Sequence, residues 1–259
     1  MSGTPAYSRR VFLARFGHGS VAAALLVAGC GPAASTSPVG TAVPTTVPPT
    51  VPPGTSPGSL PATSGFDWQR VDLGFVSAYV LARDGEAVVV DSGPSGSADD
   101  IEVALGAIDL AWDAVGHVIF THLHGDHVGS AADVMSRAAG ATGYAGAADL
   151  AAIAVPRPLT AVADNDRVFD LRIVTTPGHT AGHIAVLDEV GGILVAGDAL
   201  GTVGGTLAGS NPQFTADMAA AARSVAKLAT LRFDILLVGH GDPIESGAAG
   251  QVAALAASS

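Results

Sequence analysis

The segment THLHGDHVGS, residues 121–130, sets His122, His124, Asp126 and His127 within six positions, directly behind the apolar run HVIF. Imidazole nitrogen and carboxylate oxygen without thiolate form the donor set of catalytic zinc, or of iron or manganese; a structural zinc more often recruits several cysteines. A strand ending at this segment releases the chain into a loop where alternate side chains point the same way. His122 and His124 then suit one metal, and the adjacent Asp126 and His127 diverge toward a second. Four donors in so short a stretch exceed what an exposed polar loop needs. Further along, His179, Asp198 and His240 each follow another apolar run, so both halves of the chain deliver strands that stop at metal-type residues.

The elements that must position these residues alternate short apolar strands with helices, an α/β pattern. FVSAYVLARDGEAVVVDSG predicts two strands joined through a turn at Asp84 and Gly85 and ending at Asp91. A helix is expected over residues 97–110, a buried strand over GHVIFTH, and a helix over residues 128–138. LRIVTTPGH reads as a strand ending in histidine, and HIAVLDEVGGILVAGD as a hairpin turning at Gly191 and Gly192. In FTADMAAAARSVAKLATL, residues Met218, Ala221, Ala222, Val225, Leu228 and Ala229 share one helical face, with Thr215 as the N-cap. DILLVGHGD supplies a final strand ending at His240 and Asp242, before a small Ala-rich helix.

These motifs, THLHGDH, PGHTAGH, the GD of Gly197 and Asp198, and GHGDP at 239–243, occur in the order found in the metallo-β-lactamase-fold hydrolases, which the chain resembles from about Phe75 onward. The resemblance implies a sandwich of two mixed β-sheets flanked by helices, with the site along one open edge of the sheets. It makes His122, His124 and His179 the ligands of a first metal and Asp126, His127 and His240 those of a second, with Asp198 bridging. Asp91 matches an acid that supports the metals from behind. His183 is expected in a supporting or packing role, His117 at the surface, and Asp242 in a turn; Tyr79 and Tyr144 are either core residues or donors to a substrate oxygen.

Two divalent ions, zinc first with iron or manganese as alternatives, would generate a shared hydroxide near neutral pH for attack on a carbonyl carbon, and Asp126 could pass a proton to the leaving group. No GxSxG elbow is present, and none is needed. In the β-lactam-degrading members the Asp198 position is generally not a bridging aspartate. A glutathione thioesterase would add a helical C-terminal domain with basic residues, whereas this chain ends about 19 residues after His240 and Lys227 is its one lysine. The expected substrate is therefore a small ester, lactone or thioester. Alternatives are a mononuclear iron oxygenase of the same fold, a β-lactam hydrolase, and a non-catalytic metal-binding surface protein.

Upstream of this domain the sequence has another character. Arg9 and Arg10 open SRRVFLARFG, and the short apolar run SVAAALLVAG leads to Cys30; together they resemble a twin-arginine signal over residues 1–29 with a lipobox at VAGC. Residues 30–65, almost entirely Pro, Thr, Ser, Gly, Ala and Val, predict a disordered tether, and residues 66–259 the folded domain. The expected product is an exported lipoprotein anchored at the cell surface through Cys30, its only membrane attachment. Removing Arg9, Arg10 and Arg15 from 12 basic and 23 acidic residues moves the net charge from −11 to −14, which repels phosphate backbones. A small-molecule substrate is expected, and no nucleic-acid partner.

Overall fold

A computed structural model describes residues 64–258. The twin-arginine signal, Cys30 and nearly all of the tether lie outside the described residues. The first sheet runs β1 (Asp67–Asp72), β2 (Ser77–Arg83), β3 (Glu86–Val90), β4 (Val115–Phe120), β5 (Thr142–Gly146) and β6 (Thr160–Val162), in that order across the sheet. Its first three strands are antiparallel and its last three continue in parallel from β3. The second sheet contains β7 (Arg167–Val168), β8 (Leu171–Thr175), β9 (Ile184–Asp188), β10 (Ile193–Val195) and β13 (Ile235–Leu237), in the order β13-β10-β9-β8-β7. A separate hairpin pairs β11 (Leu200–Val203) with β12 (Thr206–Gly209). The helices are α1 (Ala98–Gly106), the single turn α2 (Gly125–Val128), α3 (Ala131–Arg137), α4 (Met218–Leu228) and α5 (Ala248–Ala257).

Strand alternation explains the layers. Tyr79, Leu81, Val88, Val90 and Ile119 project toward Ile173, Ile184, Val186, Val195 and Leu237 of the second sheet, forming the core between the sheets. Their neighbours Val80, Val89, Val118 and Phe120 face the opposite way and pack with Ile101, Leu105, Val134 and Met135 of α1 and α3. Ala185, Leu187 and Leu194 turn outward to Val225, Leu228 and Val252 of α4 and α5. The result is the expected helix–sheet–sheet–helix sandwich.

Several local expectations need correction. The helix anticipated over 128–138 is broken between α2 and α3, where the Ser130 backbone N–H donates to the Gly93 carbonyl at 3.3 Å rather than back along the helix, and its hydroxyl bonds the Pro94 carbonyl and Ser97 N. The strand before His179 stops at Thr175, and His179 stands in the following turn, where Pro177 and Gly178, at φ +139°, end the ladder. Asp217, not Thr215, caps α4, accepting the Ala220 N–H at 2.9 Å. Met218 and Ala222 are exposed on that helix; its inward face is Ala220, Ala221, Ser224, Val225 and Leu228.

Candidate metal centre

Two pairs of parallel strands carry the site. β3 and β4 end side by side, so Asp91 follows one and Thr121 and His122 the other; β10 and β13 do the same for Asp198 and His240. The pairs are tied together where Ile184 N donates to the Thr121 carbonyl at 2.9 Å and Ser77 N donates to the Gly239 carbonyl at 2.8 Å. His124 begins the turn of α2, with its carbonyl accepting from His127 N and Val128 N, and this turn swings Asp126 and His127 away from His122 and His124.

The donor atoms converge into three overlapping groups, His122–His124–His179, Asp126–His127–His240 and His122–His127–Asp198, with the atoms of each within 4.8 Å of one another. Asp198 touches both of the first two: Oδ1 lies 3.2 Å from His127 Nε2, and Oδ2 lies 3.3 Å from His179 Nε2 and 3.2 Å from His240 Nε2. Asp126 Oδ2 is 3.3 Å from His240 Nε2. All seven residues expected as ligands are therefore brought together.

Hydrogen-bond partners fix which nitrogen each ring turns inward. His127 Nδ1 lies 2.8 Å from Asp91 Oδ2 and His240 Nδ1 lies 2.7 Å from the Phe75 carbonyl; both partners accept, so each Nδ1 donates and each Nε2 faces the centre. Thr121 donates its hydroxyl to Asp91 Oδ2, so its oxygen is left to accept from His122 Nδ1 at 3.0 Å. His179 Nδ1 pairs in the same way with Thr215, whose hydroxyl is donated to the Asn211 carbonyl. Asp91 thus orients two imidazoles, one directly and one through Thr121. It does so at φ +62°, a left-handed conformation costly for a non-glycine residue and typical of sites where geometry outweighs strain.

His183 is excluded as a ligand. Its Nε2 accepts the Asp198 N–H at 3.0 Å, holding the turn that carries Asp198, and its Nδ1 pairs with Thr176, so both nitrogens are used. Gly197 in that turn sits at φ +50°, and a side chain there would press on His183 and Thr121, at 2.9 Å from each.

The carboxylates draw positive charge to the centre, and protons on His127 and His240 supply it. Burial would raise the Asp198 carboxyl, yet His127 and His240 hold it far below the usual carboxylate range. Burial pushes the His127 ring down, but Asp91 and Asp198 bring it up to about 10; Asp126 and Asp198 raise His240 to about 10 as well. Burial lowers His179 to about 4 and takes His122 well below its ordinary value, which leaves these two rings as neutral donors, and lowers His183 to about 3, which keeps its ring neutral behind them. Within this group His122 Nε2 and Asp198 Oδ1 are buried polar atoms without a hydrogen-bond partner. Orphaned donors of this kind, in an all-nitrogen and oxygen set, fit a divalent metal.

Asp149 belongs to the site without having been expected. It is fully buried, its Oδ2 accepts from Leu123 N at 3.1 Å and the Thr180 hydroxyl at 2.6 Å, and its Oδ1 accepts from Gly182 N. It therefore clamps the HLH loop to the loop carrying His179. Other residues lie apart from these donors. Tyr79 donates to the Val238 carbonyl in the core, Tyr144 pairs with His117, and His117 is half-buried between Tyr144 and Phe169 where a surface position was expected. Asp242 is an exposed turn residue paired with Arg70 at 3.0 Å.

The profile of the metallo-beta-lactamase superfamily matches residues 71–154 and 155–240, the segments that contain every donor named above. The chain belongs to this superfamily. Among curated relatives, the probable metallo-hydrolase YflN of Bacillus subtilis is 43% identical over 82 residues, 27% of this chain and 31% of that protein. The hydroxyacylglutathione hydrolase of Acidiphilium cryptum is 33% identical over 135 residues, 50% of this chain and 48% of that protein. The chain thus spans between about a third and a half of these relatives. Among solved structures, a metallo-beta-lactamase family protein from Thermus thermophilus superposes with a TM-score of 0.59 at 22% identity, over 75% of this chain and 79% of that one, a likeness of fold. The superfamily is one of metal-binding proteins, and relatives of this chain are named hydrolases.

Proposed function

We propose that this chain is a dinuclear metal-dependent hydrolase acting on a small ester, lactone or thioester. The observation that carries the reading is Asp198, whose two oxygens reach His127 on one side and His179 and His240 on the other. Divalent metal held by these side chains, zinc foremost, supplies an acidified water, with its pKa brought from about 15.7 toward 7, and a Lewis acid for the scissile carbonyl. The protein's part is positional. Asp91, Thr121, Thr215 and the Phe75 carbonyl hold four rings with Nε2 inward, so no reorientation is needed when substrate arrives. Asp126, half-buried at the mouth of the site and 3.3 Å from His240, would take a proton from the attacking water and return it to the leaving group.

The test is metal analysis after native expression combined with a screen of p-nitrophenyl esters, lactones, thioesters, phosphodiesters and a chromogenic cephalosporin. Two metals per chain with turnover of the carbonyl esters is the expected result. One iron per chain without hydrolysis would point to an oxygenase instead and overturn the proposal. We further propose, from the sequence of residues 1–30, that the protein is exported and anchored through lipidated Cys30, and, from the acidic balance of the chain that follows, that it binds no nucleic acid.

A further inference from the structure

Beside Asp126, Asp198 and His240 opens a cavity of about 640 Å³, within the range of pockets that enclose a small molecule. Apart from the metal-centre donors themselves, it is lined by Phe75, Leu200, Thr202, Val203, Asn211, Phe214 and small residues. None of the described Lys or Arg residues lines it; the nearby Arg70 is engaged by Ser77, Asp242 and the Gly241 carbonyl. Phe75, Val203 and Phe214 are 64%, 76% and 64% exposed, so three of the six exposed large apolar side chains among the described residues gather on this one cavity. Contiguous exposed apolar surface of this kind marks a binding site.

These walls are held in register with the donors. The residue whose carbonyl fixes His240 is Phe75, and its ring stacks on His240 with centroids 6.2 Å apart. Phe214 immediately precedes Thr215, the partner of His179. The β11–β12 hairpin, turning tightly at Gly204 and Gly205 (φ +56° and +78°), is pinned along β11 where Thr202 N donates to the His240 carbonyl and at its base where the Ser210 hydroxyl donates to the Asp198 carbonyl. A group lying along Val203 and Phe214 is therefore set at a defined distance from Asp198.

From this arrangement, and resting on the hydrolase reading above, we infer that the cavity selects esters, lactones or thioesters bearing an uncharged apolar chain, and disfavours substrates whose chain ends in a carboxylate. Two opposed features decide it. The apolar walls reward each buried methylene, while a carboxylate carried against them loses hydration with no guanidinium or ammonium group among the lining residues to compensate.

The metal-loaded full-length chain is assayed with p-nitrophenyl acetate, butyrate, hexanoate and octanoate, and with the p-nitrophenyl half-ester of suberic acid, which adds a terminal carboxylate. The kcat/KM is expected to rise about three- to fourfold per methylene up to the length of the cavity, and the half-ester to fall at least tenfold below the octanoate. Phe214→Ser and Val203→Ser, at exposed positions that folding tolerates, should flatten the chain-length series; Phe214→Arg should raise the relative rate on the half-ester. A flat series in the wild type, or a preference for the half-ester, overturns the inference. Calorimetric titration with neutral octanamide and acetamide reads the cavity without turnover. If octanamide binds at least tenfold tighter than acetamide but no ester is cleaved, the cavity reading stands and the hydrolase reading falls; equal binding of the two amides rejects the cavity reading.

Discussion

Asp149 Oδ1 accepts the Gly182 backbone N–H at 2.8 Å, linking the end of the β5 segment to the loop that carries His179 and His183. With its other oxygen on Leu123 N and Thr180, one buried carboxylate sets the spacing between His122 and His124 on one loop and His179 on the other. Such supporting partners typically govern 10–100-fold in metal affinity. Asp149→Ala should weaken zinc binding by about that factor, measured by competition with a chromophoric chelator, and Asp149→Asn should recover only part, since its amide nitrogen cannot accept. Unchanged affinity in the alanine variant would assign Asp149 to folding alone.

Asp149 also marks the limit of what the sequence discloses. The ligands were legible because chemistry crowded them into THLHGDH and set the others behind apolar runs; Asp149 stands in GYAGAADLAA among small residues, and its role exists only once residues 123, 180 and 182 close on it. The two central sheets were readable from alternation in β2, β3, β4, β8 and β9. β1 was not, because DWQRVD is a half-exposed edge strand of mixed polarity. The β11–β12 hairpin did carry a signal, the Gly204–Gly205 pair between alternating residues, but its short and Gly-rich strands do not read as strands without the turn. Met218 and Ala222 were placed inward because Ala offers weak contrast on a helical wheel, so the face was set a fraction of a turn off.

Gly239 tests the tightness of the centre. A Cβ there would collide with Asp198 Oδ1 and lie 2.7 Å from His127 Cε1, and its backbone cannot withdraw because Gly239 N donates to the Gly197 carbonyl at 3.1 Å and its own carbonyl accepts from Ser77. Gly239→Ala should therefore displace Asp198 from its place between the two groups of donors. Loss of at least one metal per chain by elemental analysis, with an unaltered far-ultraviolet circular dichroism spectrum, is the expected outcome; full metal content would contradict it.

Tyr79 makes a prediction about pH. Burial pushes its phenol up to about 12, with the hydroxyl donated to the Val238 carbonyl at 2.8 Å. A folded-state pKa above the unfolded value of about 10 means that the stabilisation is complete below pH ~10 and is lost as pH rises through the folded value. Tyr79→Phe should cost about 1 kcal/mol at neutral pH, and this deficit should shrink above pH ~10 as the wild type alone pays for ionisation. Denaturant midpoints of both proteins between neutral and strongly alkaline pH read it directly. A constant offset across that range would remove Tyr79 from the alkaline transition.

Anchoring at Cys30 rests on the sequence of the first 30 residues. Cys30→Ser should move the protein from the membrane fraction to the soluble one when cells are fractionated. If the variant stays with membranes as firmly as the wild type, lipid attachment at this position is wrong.

Asp198 is the residue on which the dinuclear reading depends. Its backbone serves the fold: the N–H donates to His183 and the carbonyl accepts from Ser210, and both bonds survive removal of the side chain. Its carboxylate faces only the donors, with Oδ1 toward His127 and Oδ2 toward His179 and His240. A carboxylate between two cations offsets their repulsion and permits the spacing of about 3.5–4 Å at which one water is shared. Asp198→Ala should thus lower metal content from about two per chain toward one and reduce ester hydrolysis at least a hundredfold, the upper end of what even supporting partners contribute, with the far-ultraviolet circular dichroism spectrum little changed. Asp198→Asn keeps one acceptor oxygen but loses the charge, so it should fall between the two. If Asp198→Ala binds two metals as tightly as the wild type, the oxygens that reach both groups of donors are not what holds the second metal; if it keeps most of its rate with a single metal bound, a mononuclear centre built on His122, His124 and His179 becomes the better description.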